Sequence, residues 1–309
     1  MQITKLAYLI QKLTLSLTPI PMQSQRLFHG RGQCHPGLEQ ITVDWLEGQL
    51  LVTIFKLQSE TFIKQLKIHL LDWAKNFNFS AILIQYRYAP MSPTEVLTGE
   101  IQSHPIMIEN GLKYHLDLAK NKNMGLFLDM KNGRQWARDA SRNKNVLNLF
   151  AYTCGFSVNA IAGGAKQVVN IDMARNMLNK GRENHRLNQL DTHKVKFFAH
   201  DIFKSWGKIK RFGPYDLVII DPPSFQKGSF ALTEDYHKIL QRLSSLTTEN
   251  SYLLASVNSP YVKCQFLLDK MDEYAPEFRF ITRLENPKEF EEIDIDSGLK
   301  TLIFQKISH

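Results

Sequence analysis

The spacing of apolar residues divides the chain into two parts with different patterns. The first 19 residues carry leucine and isoleucine at helical spacing, which predicts a short amphipathic helix. Apolar runs at 41–45 and 50–55 flank Gly48 and predict two strands. The segment 61–76 has one apolar face and predicts a helix, and the apolar segment 81–86 predicts a further strand. Residues 89–99 contain two prolines and a glycine, so we interpret them as a linker or a long loop.

From residue 105 onward, strand-like and helix-like segments alternate. Asn110 and Gly111 separate two short runs at 106–109 and 112–116, which is a hairpin signal. Strands are predicted at 146–150, 167–172, 194–199, 217–221, 252–257, 278–284 and 299–305, and helices at 132–141, 157–162, 174–188, 234–246 and 261–274. This alternation predicts an α/β fold with a doubly wound, mostly parallel seven-stranded sheet whose last two strands are antiparallel. We place the boundary with a smaller α+β domain near residue 104, so that the domains are 1–104 and 105–309.

The positive charge of the chain is unevenly distributed. The 309 residues are 43% hydrophobic and 22% charged, which is typical of a globular protein, and the net charge is +8. The segment 120–144 contains seven Lys and Arg against two Asp, and 204–211 contains four Lys and Arg. Such clusters favour a phosphate-bearing partner over a plain solvated surface.

The cysteines and the hydropathy pattern exclude several other classes of protein. Cys34, Cys154 and Cys264 are scattered without CxxC spacing, so neither a disulfide framework nor a metal site is predicted. Free thiols are typical of a reducing cytosol, and we expect a cytoplasmic protein. No apolar run approaches the ~20 residues that a membrane helix needs, so no membrane partner is expected.

The strongest candidate for chemistry is the segment 221–225, with the sequence Asp-Pro-Pro-Ser-Phe, directly after a buried strand. Proline has a fixed φ and no N–H, so a pair of prolines holds the neighbouring acid and aromatic in one geometry. The alternative is an ordinary Pro-Pro turn that ends a strand.

Three further strand ends carry candidate ligand-binding residues. The strand 146–150 enters a turn that ends at Gly155, where backbone can approach a nucleoside or a carboxylate. The GxGxxG pattern of a dinucleotide enzyme is absent, which disfavours a nicotinamide cofactor. Asp172 ends the next strand, where an acid can accept both hydroxyls of a ribose, and Asp201 follows the third strand. The alternative is that each aspartate caps the following helix.

In this order, the segments resemble the family of ribosomal RNA large-subunit methyltransferases that includes the cytosine-C5 and guanine-N7 enzymes, which are class I S-adenosylmethionine-dependent methyltransferases. The matching stretches are 109–112, 125–129, 148–153, 163–165, 184–188 and 221–225, spread over about two thirds of the chain. The resemblance implies a Rossmann-like fold, S-adenosylmethionine as methyl donor with S-adenosylhomocysteine as product, and RNA, in the first place ribosomal RNA, as partner.

The resemblance also implies roles for individual residues. In base-modifying methyltransferases, an acid- or amide-Pro-Pro-aromatic turn grips one edge of the base and the aromatic stacks on its face. The implied catalytic residues are Asp221, Pro222, Phe225 and Asn258. The implied cofactor-binding residues are Phe127, Asp129, Arg134, Phe150, Tyr152, Thr153, Gly155, Asp172, Met173, Asp201, Ile202 and Asp221.

Two departures from the family pattern bear on the chemistry. Cytosine-C5 enzymes carry a nucleophilic cysteine just after the fifth strand, but the corresponding turn here, 256–260, has Val257 at that position. The turn looks more like the guanine-N7 type, so we predict direct methyl transfer to a base nitrogen. The second departure is the N-terminal region, which does not resemble the RNA-binding modules of the family, so its part in RNA docking is open.

Three alternatives stay open at the level of the sequence. A cytosine-C5 methyltransferase would need Cys154 or Cys264 to reach the base. A methyltransferase of a protein or small molecule would leave the basic surface without a purpose. A non-catalytic RNA-binding relative would keep the fold but lose affinity for the cofactor.

Overall fold

The computed structural model describes residues 4–118 and 123–307, which form two compact units. One unit comprises residues up to Leu128 together with Lys288–Asp294, and the other comprises Asp129–Pro287 and the chain from Ile295 onward. The first unit therefore extends beyond the boundary placed near residue 104. The reason is the hairpin that follows, because Ser24 N–H donates to Ile108 O at 2.9 Å and ties the hairpin to the N-terminal part.

The first unit is a five-stranded sheet with two helices and a separate hairpin. Its elements are α1 (Lys5–Ser16), β1 (Gln25–His29), β2 (Ile41–Leu46), β3 (Gln49–Ile54), α2 (Glu60–Ala74), β4 (Ala81–Tyr86), β5 (Thr94–Gly99), β6 (Ile106–Glu109) and β7 (Leu112–His115). The sheet order is β1-β2-β3-β4-β5, and β6 pairs with β7 across Asn110 and Gly111, which confirms the predicted hairpin. Buried leucines of α1 and α2 form one core with the strands.

The interpretation of residues 89–99 as a linker or loop is wrong for its second half. Residues Thr94–Gly99 form β5, which pairs antiparallel with β4 at the edge of the sheet. Most of its side chains are exposed or half-buried, so the strand lacks the apolar alternation that would have identified it. Glu95 fixes it instead, since this carboxylate accepts hydrogen bonds from Lys67 Nζ and the Tyr86 hydroxyl.

The segment Lys288–Asp294 packs in the first unit although the strands on either side of it belong to the second. Glu291 and Glu292 pair with the side chains of His35 and His29, at 2.7 and 3.3 Å. Ile293 N–H donates to Gly32 O at 2.9 Å. The first unit is therefore built from two stretches of chain that lie far apart in the sequence.

The second unit contains the seven-stranded sheet. Its elements are α3 (Lys131–Ala140), β8 (Asn145–Leu149), α4 (Gly155–Ala162), β9 (Gln167–Asp172), α5 (Arg175–Leu187), β10 (Val195–Ala199), α6 (Trp206–Arg211), β11 (Tyr215–Ile220), β12 (Phe225–Gln226), β13 (Phe230–Ala231), α7 (Leu232–Leu240), α8 (Leu243–Leu246), β14 (Thr247–Val257), α9 (Cys264–Tyr274), β15 (Phe278–Leu284) and β16 (Lys300–Lys306). The helix predicted at 234–246 is thus two helices, and α6 and the short hairpin β12–β13 were not predicted. None of the helices among residues 4–118 and 123–307 is long and apolar enough to span a membrane.

The strand order of this sheet is β10-β9-β8-β11-β14-β16-β15. Strands β8 to β11 and β14 are parallel, and β16 lies antiparallel between β14 and β15. Apolar clusters fill both faces, with α3 and α4 on one and α6, α7 and α9 on the other. The predicted α/β class with a doubly wound, mostly parallel seven-stranded sheet is confirmed. Successive strands are added on one side of β8 up to β10 and on its other side from β11 onward. Ligands of such sheets bind at the carboxyl ends of the strands beside this change of side.

A chain of buried polar side chains joins β8 and β9 to the helices above them. Asn148 donates to Asn170 at 2.8 Å, and Asn170 donates to Ser157 Oγ at 3.0 Å. His185 Nδ1 lies 2.8 Å from Gly181 O, so this nitrogen carries the proton, and Nε2 accepts from the Ser157 hydroxyl at 3.0 Å. Burial lowers the pKa of His185, which keeps the ring neutral. Each of these buried side chains therefore has a hydrogen-bond partner in the next one, and together they fix α4 and α5 against the strands.

Candidate functional site

The turn after β8 is held in an unusual backbone conformation. Phe150, Tyr152 and Cys154 have φ of 57°, 48° and 61°, so every second residue lies in the left-handed region. Each such non-glycine residue costs about 1–3 kcal/mol and persists only where its surroundings hold it. Gly155, where backbone was expected to approach a ligand, is the first residue of α4, and the left-handed residue before it is Cys154. The turn lies at the carboxyl end of β8, and most of its residues are buried.

The Asp172 carboxylate joins this turn to the end of β9. One oxygen accepts from Tyr152 N–H and the other from Ala174 N–H, both at 2.8 Å. The residue is 8% exposed, and burial raises its pKa although the two backbone hydrogen bonds lower it. The helix cap of α5 is Ala174, so Asp172 is not the N-cap residue itself. Its carboxylate acts as a brace between two loops and retains lone pairs for further donors.

Helix α5 presses on the same turn from the other side. Asn184 Nδ2 donates to Thr153 O at 3.1 Å. A Cβ at Gly181 would fall on the Cys154 side chain, closer than real Cβ atoms come to any neighbour. Gly181 therefore permits the close approach that fixes the turn.

The end of β10 shows Asp201 in its alternative role. Asp201 Oδ1 accepts from Phe203 N–H at 2.8 Å and caps the short 3-10 helix Ile202–Lys204. Ile202 is buried, whereas Met173, which follows β9, is exposed. Because Ala199 pairs with Asp172 across the sheet, these loops are neighbours at one edge of the sheet. The structure thus gathers the predicted residues after β8, β9 and β10 at adjacent strand ends.

The carboxyl end of β11 carries Asp221. The Ser256 hydroxyl donates to Asp221 Oδ1 in a short hydrogen bond. Burial raises the pKa of Asp221 to about 6, helped by the charge of Asp129 and opposed by the Ser256 hydrogen bond and by Arg134. Asp221, Asp129 and Arg134 therefore belong to one electrostatic cluster, as their prediction as a single site requires.

Asn258 connects this cluster to the turn after β14. Asn258 Nδ2 donates to Asp129 Oδ2 at 3.4 Å, and the Ser224 hydroxyl donates to Asn258 O at 2.8 Å. The turn after β11 and the turn after β14 are therefore joined. Phe127 is exposed and lies in the first unit, so its part in this site stays a prediction.

One proline of the Pro-Pro turn is buried and the other is exposed. Pro222 is buried and Pro223 is exposed. Phe225 begins the short hairpin β12–β13 and is 69% exposed. Phe230 from the partner strand is buried against Phe150 at a ring distance of 4.9 Å, which anchors the hairpin to the turn after β8. Phe225 therefore presents an exposed aromatic ring on a hairpin that Phe230 anchors.

Two residues with a clear place in this site were missed by sequence reasoning. Ser256 holds Asp221, as described above. Lys300 is fully buried at the start of β16, and its Nζ donates to Ser259 O and Asp296 O, both at 2.7 Å. It thereby pins the turn after β14 to the loop before β16. The only signal for Lys300 is a lysine at the start of an apolar strand.

The cysteine thiols of this unit are poor nucleophiles. Cys154 is fully buried, and burial raises the pKa of its thiol well above the usual range. Cys264 starts α9, and burial raises the pKa of its thiol as well. Because the thiolate is the reactive form, the raised pKa lowers the reactivity of both thiols at neutral pH.

The residues at these strand ends fit S-adenosylmethionine. Asp172 offers carboxylate lone pairs to ribose hydroxyls, as its resemblance-based role requires. Ile202 and Phe150 are buried apolar side chains beside these strand ends.

The raised pKa of Asp221 predicts how Asp221→Asn changes stability. The folded protein holds a proton on this carboxyl up to pH about 6, whereas the reference value is 3.8. The unfolded chain therefore binds fewer protons between those values, and wild-type stability falls as pH rises through this window. The asparagine variant keeps an acceptor for Ser256 and avoids the buried charge. We expect it to be more stable than wild type at pH 7, by at most about 3 kcal/mol.

Urea denaturation of both proteins from pH 4 to 7 measures this difference. The advantage of the variant should be small near pH 4 and reach a plateau above pH 6. A constant difference across the series would contradict the raised pKa of Asp221.

Comparison with known proteins agrees with this geometry. Residues 25–305 match the family described as S-adenosylmethionine-dependent methyltransferase. YwbD of Bacillus subtilis, provisionally named a ribosomal RNA large subunit methyltransferase, is 33% identical over 244 residues, which are 76% of this chain and 60% of the relative. Ribosomal RNA large subunit methyltransferase I of Aeromonas hydrophila is 33% identical over 203 residues, which are 63% of this chain and 51% of the relative. The chain thus spans 60% or less of the length of these relatives.

A solved structure from Streptococcus mutans, described provisionally as an S-adenosylmethionine-dependent methyltransferase, superposes with a TM-score of 0.84 and 23% identity, over 97% of this chain and 81% of its own. This likeness confirms the Rossmann-like fold. The match to the family over most of the chain confirms the prediction of the enzyme class and of its methyl donor. The chain belongs to the family of S-adenosylmethionine-dependent methyltransferases.

Proposed function

We propose that this protein transfers a methyl group from S-adenosylmethionine to a nitrogen of an RNA base, with ribosomal RNA as the substrate and guanine N7 as the model acceptor. The observation that carries the proposal is the 221–225 turn. It contains the Asp221 carboxylate, which accepts a hydrogen bond from Ser256, and the exposed aromatic ring of Phe225. The names of the relatives, which refer to ribosomal RNA, support the choice of substrate.

The chain's own residues bind and orient the two reactants. S-adenosylmethionine, when bound, supplies an electrophilic methyl group on its sulfonium. Asp172 holds the ribose, and the turn at 150–154 presents backbone groups to the rest of the donor. Catalysis at guanine N7 is then a matter of positioning, because this atom attacks with a free lone pair and needs no general base.

The base is held by the turns after β11 and β14. Phe225 stacks on its face, and stacking on an aromatic side chain contributes about 1–3 kcal/mol per base. Asp221 is mostly ionised at neutral pH, so it accepts hydrogen bonds from N–H groups at the edge of the base. Asn258 is exposed beside this turn and offers a donor and an acceptor. Guanine N7 has a free lone pair and loses no proton on methylation.

The thiols support direct transfer over a cytosine-C5 mechanism. That mechanism requires a thiolate that adds to the base. Val257 stands where the family's nucleophile would be, Cys154 lies in the donor turn, and Cys264 lies in α9 with a raised thiol pKa. Among the described residues, no cysteine lies in the turns that hold Asp221 and Asn258.

Gly181→Ala tests the part of the turn in binding the methyl donor. The added Cβ would push on Cys154 and shift the turn, so one or two hydrogen bonds to the donor should be lost. At about 1 kcal/mol each, this should weaken the affinity for S-adenosylmethionine roughly 5- to 30-fold in calorimetry.

Gly207→Ala is the matched control, since it lies in helix α6 and a Cβ there meets nothing within 4 Å. This variant should bind the donor like wild type. Normal binding by a folded Gly181→Ala variant would show that the turn does not touch the donor.

Cysteine replacement separates the two chemistries. Cys154→Ser and Cys264→Ser should each keep turnover within about tenfold of wild type, whereas loss of a covalent nucleophile typically costs on the order of 10⁴-fold or more. Phe225→Ala should cut turnover strongly while leaving the affinity for S-adenosylmethionine unchanged. A covalent complex with RNA that contains 5-fluorocytidine, lost in one cysteine variant, would instead identify a cytosine-C5 enzyme.

Mass spectrometry of ribosomal RNA tests the whole proposal. RNA from a strain that lacks the gene should be missing one methyl group on a base nitrogen, and the purified protein with S-adenosylmethionine should restore it. Unchanged ribosomal RNA in the deletion strain would exclude ribosomal RNA as the substrate.

A further inference from the structure

The net charge of the protein is concentrated along one edge of its larger sheet. Residues 175–211 carry ten Lys and Arg against three Asp and Glu, an excess of seven, whereas the whole chain has a net charge of +8. These residues form α5, β10 and α6, and β10 is the last strand of the sheet. We call the exposed cations of this region the basic edge; they are Arg175, Arg186, Lys194, Lys204, Lys208, Lys210 and Arg211.

Exposure distinguishes the basic edge from the basic segment 120–144. In that segment Arg134 is buried, and Lys144 lies over the Tyr252 ring with its Nζ 4.6 Å from the centroid. Lys120 and Lys122 lie outside the described residues. Of its described cations only Arg142 is exposed, so this segment offers little charge to a partner. The cations of 204–211 are all exposed.

Aromatic rings lie between the cations on both faces of β10. On the face of β10 towards α5, the Arg182 guanidinium lies over the Phe197 ring, 4.6 Å from the ring centroid. Phe198 is the next residue and therefore lies on the opposite face of the strand. Lys208 Nζ lies over its ring, 4.5 Å from the centroid. Half-buried rings under cations hold the charges in fixed places, which limits the entropy that they lose on binding. Charge with interleaved aromatics is typical of nucleic-acid surfaces.

The basic edge is continuous with the candidate site. Ala199 at the end of β10 pairs with Asp172, and the chain continues through His200 and Asp201 to Lys204. A strand of five residues spans about 17 Å, so Lys194 at its start lies that far from the loop at its end. A polyanion bound along β10 would therefore run towards the loops that hold the donor and the base.

We propose that the basic edge is a docking surface for the RNA backbone, which it holds by phosphate contacts while the 221–225 turn takes the base. This inference rests on the proposed function, since it names the surface that binds the same substrate. Contacts to phosphate are independent of sequence and release counterions, so they make the affinity depend steeply on salt.

Charge reversal away from the site tests the surface. The edge variant is Lys194→Glu, Lys210→Glu and Arg211→Glu combined, because these three side chains are exposed and have no ion pair among the described residues. The control variant is Lys56→Glu, Lys64→Glu and Lys75→Glu, three exposed lysines of the first unit, and it changes the net charge equally. The probe is a fluorescent hairpin RNA of large-subunit ribosomal sequence, titrated at several salt concentrations.

We expect the edge variant to bind the hairpin more than about tenfold more weakly, with a log–log salt slope less steep by about 2 for three lost contacts. The control variant should bind like wild type. Both should keep the wild-type affinity for S-adenosylmethionine in calorimetry, which shows that the second unit is folded. If the edge variant fails this check, the same three positions changed to glutamine provide the test.

Three results would overturn the docking surface. The edge variant may not differ from wild type in affinity or slope; the control variant may lose as much affinity; or the edge variant may only self-associate in light scattering, as expected if the charges merely prevent pairing of an open strand edge. Absence of binding by wild type at every salt concentration is a different outcome, because it contradicts RNA as the substrate and therefore the proposed function.

Discussion

The Asp172 carboxylate is the contact on which the geometry of the site depends. It accepts one backbone N–H from the turn after β8 and one from the loop after β9, and it does so from a largely buried position. Without it, two buried donors would lose their partner, and the three left-handed residues at 150–154 would have less to hold them. The buried polar chain from Asn148 to His185 supports the same region from below, and Gly181 lets α5 close over it.

Backbone strain and the burial of a carboxylate therefore occur at two different places in the site. At the turn after β8, three non-glycine residues have a left-handed backbone conformation. At the end of β11, burial raises the pKa of Asp221, and the Ser256 hydroxyl limits the rise. Both features lower stability locally, as is common where a protein binds a ligand instead of optimising its own contacts.

The sequence predicted what depends on short-range pattern. The strands of the second unit follow from apolar runs, and the hairpin at Asn110 and Gly111 follows from turn chemistry. Strand β5 was not predicted because none of its side chains is fully buried. Ser256 and Lys300 were not predicted because Asp221 and Ser259, which they contact, lie far away in the sequence. The left-handed conformation of Cys154 was not predicted, since a left-handed cysteine is unusual enough that no propensity would select it.

The placement of Lys288–Asp294 has a consequence for the order in which the protein is made. A ribosome releases the chain from its N-terminus, so residues up to Leu128 emerge long before the segment that completes their unit. Until then, His29 and His35 lack the carboxylates that they meet in the finished fold, and Gly32 lacks the N–H that its carbonyl accepts. The first unit therefore begins to emerge before the second, yet it is completed only after residues 129–287 of the second unit have been translated.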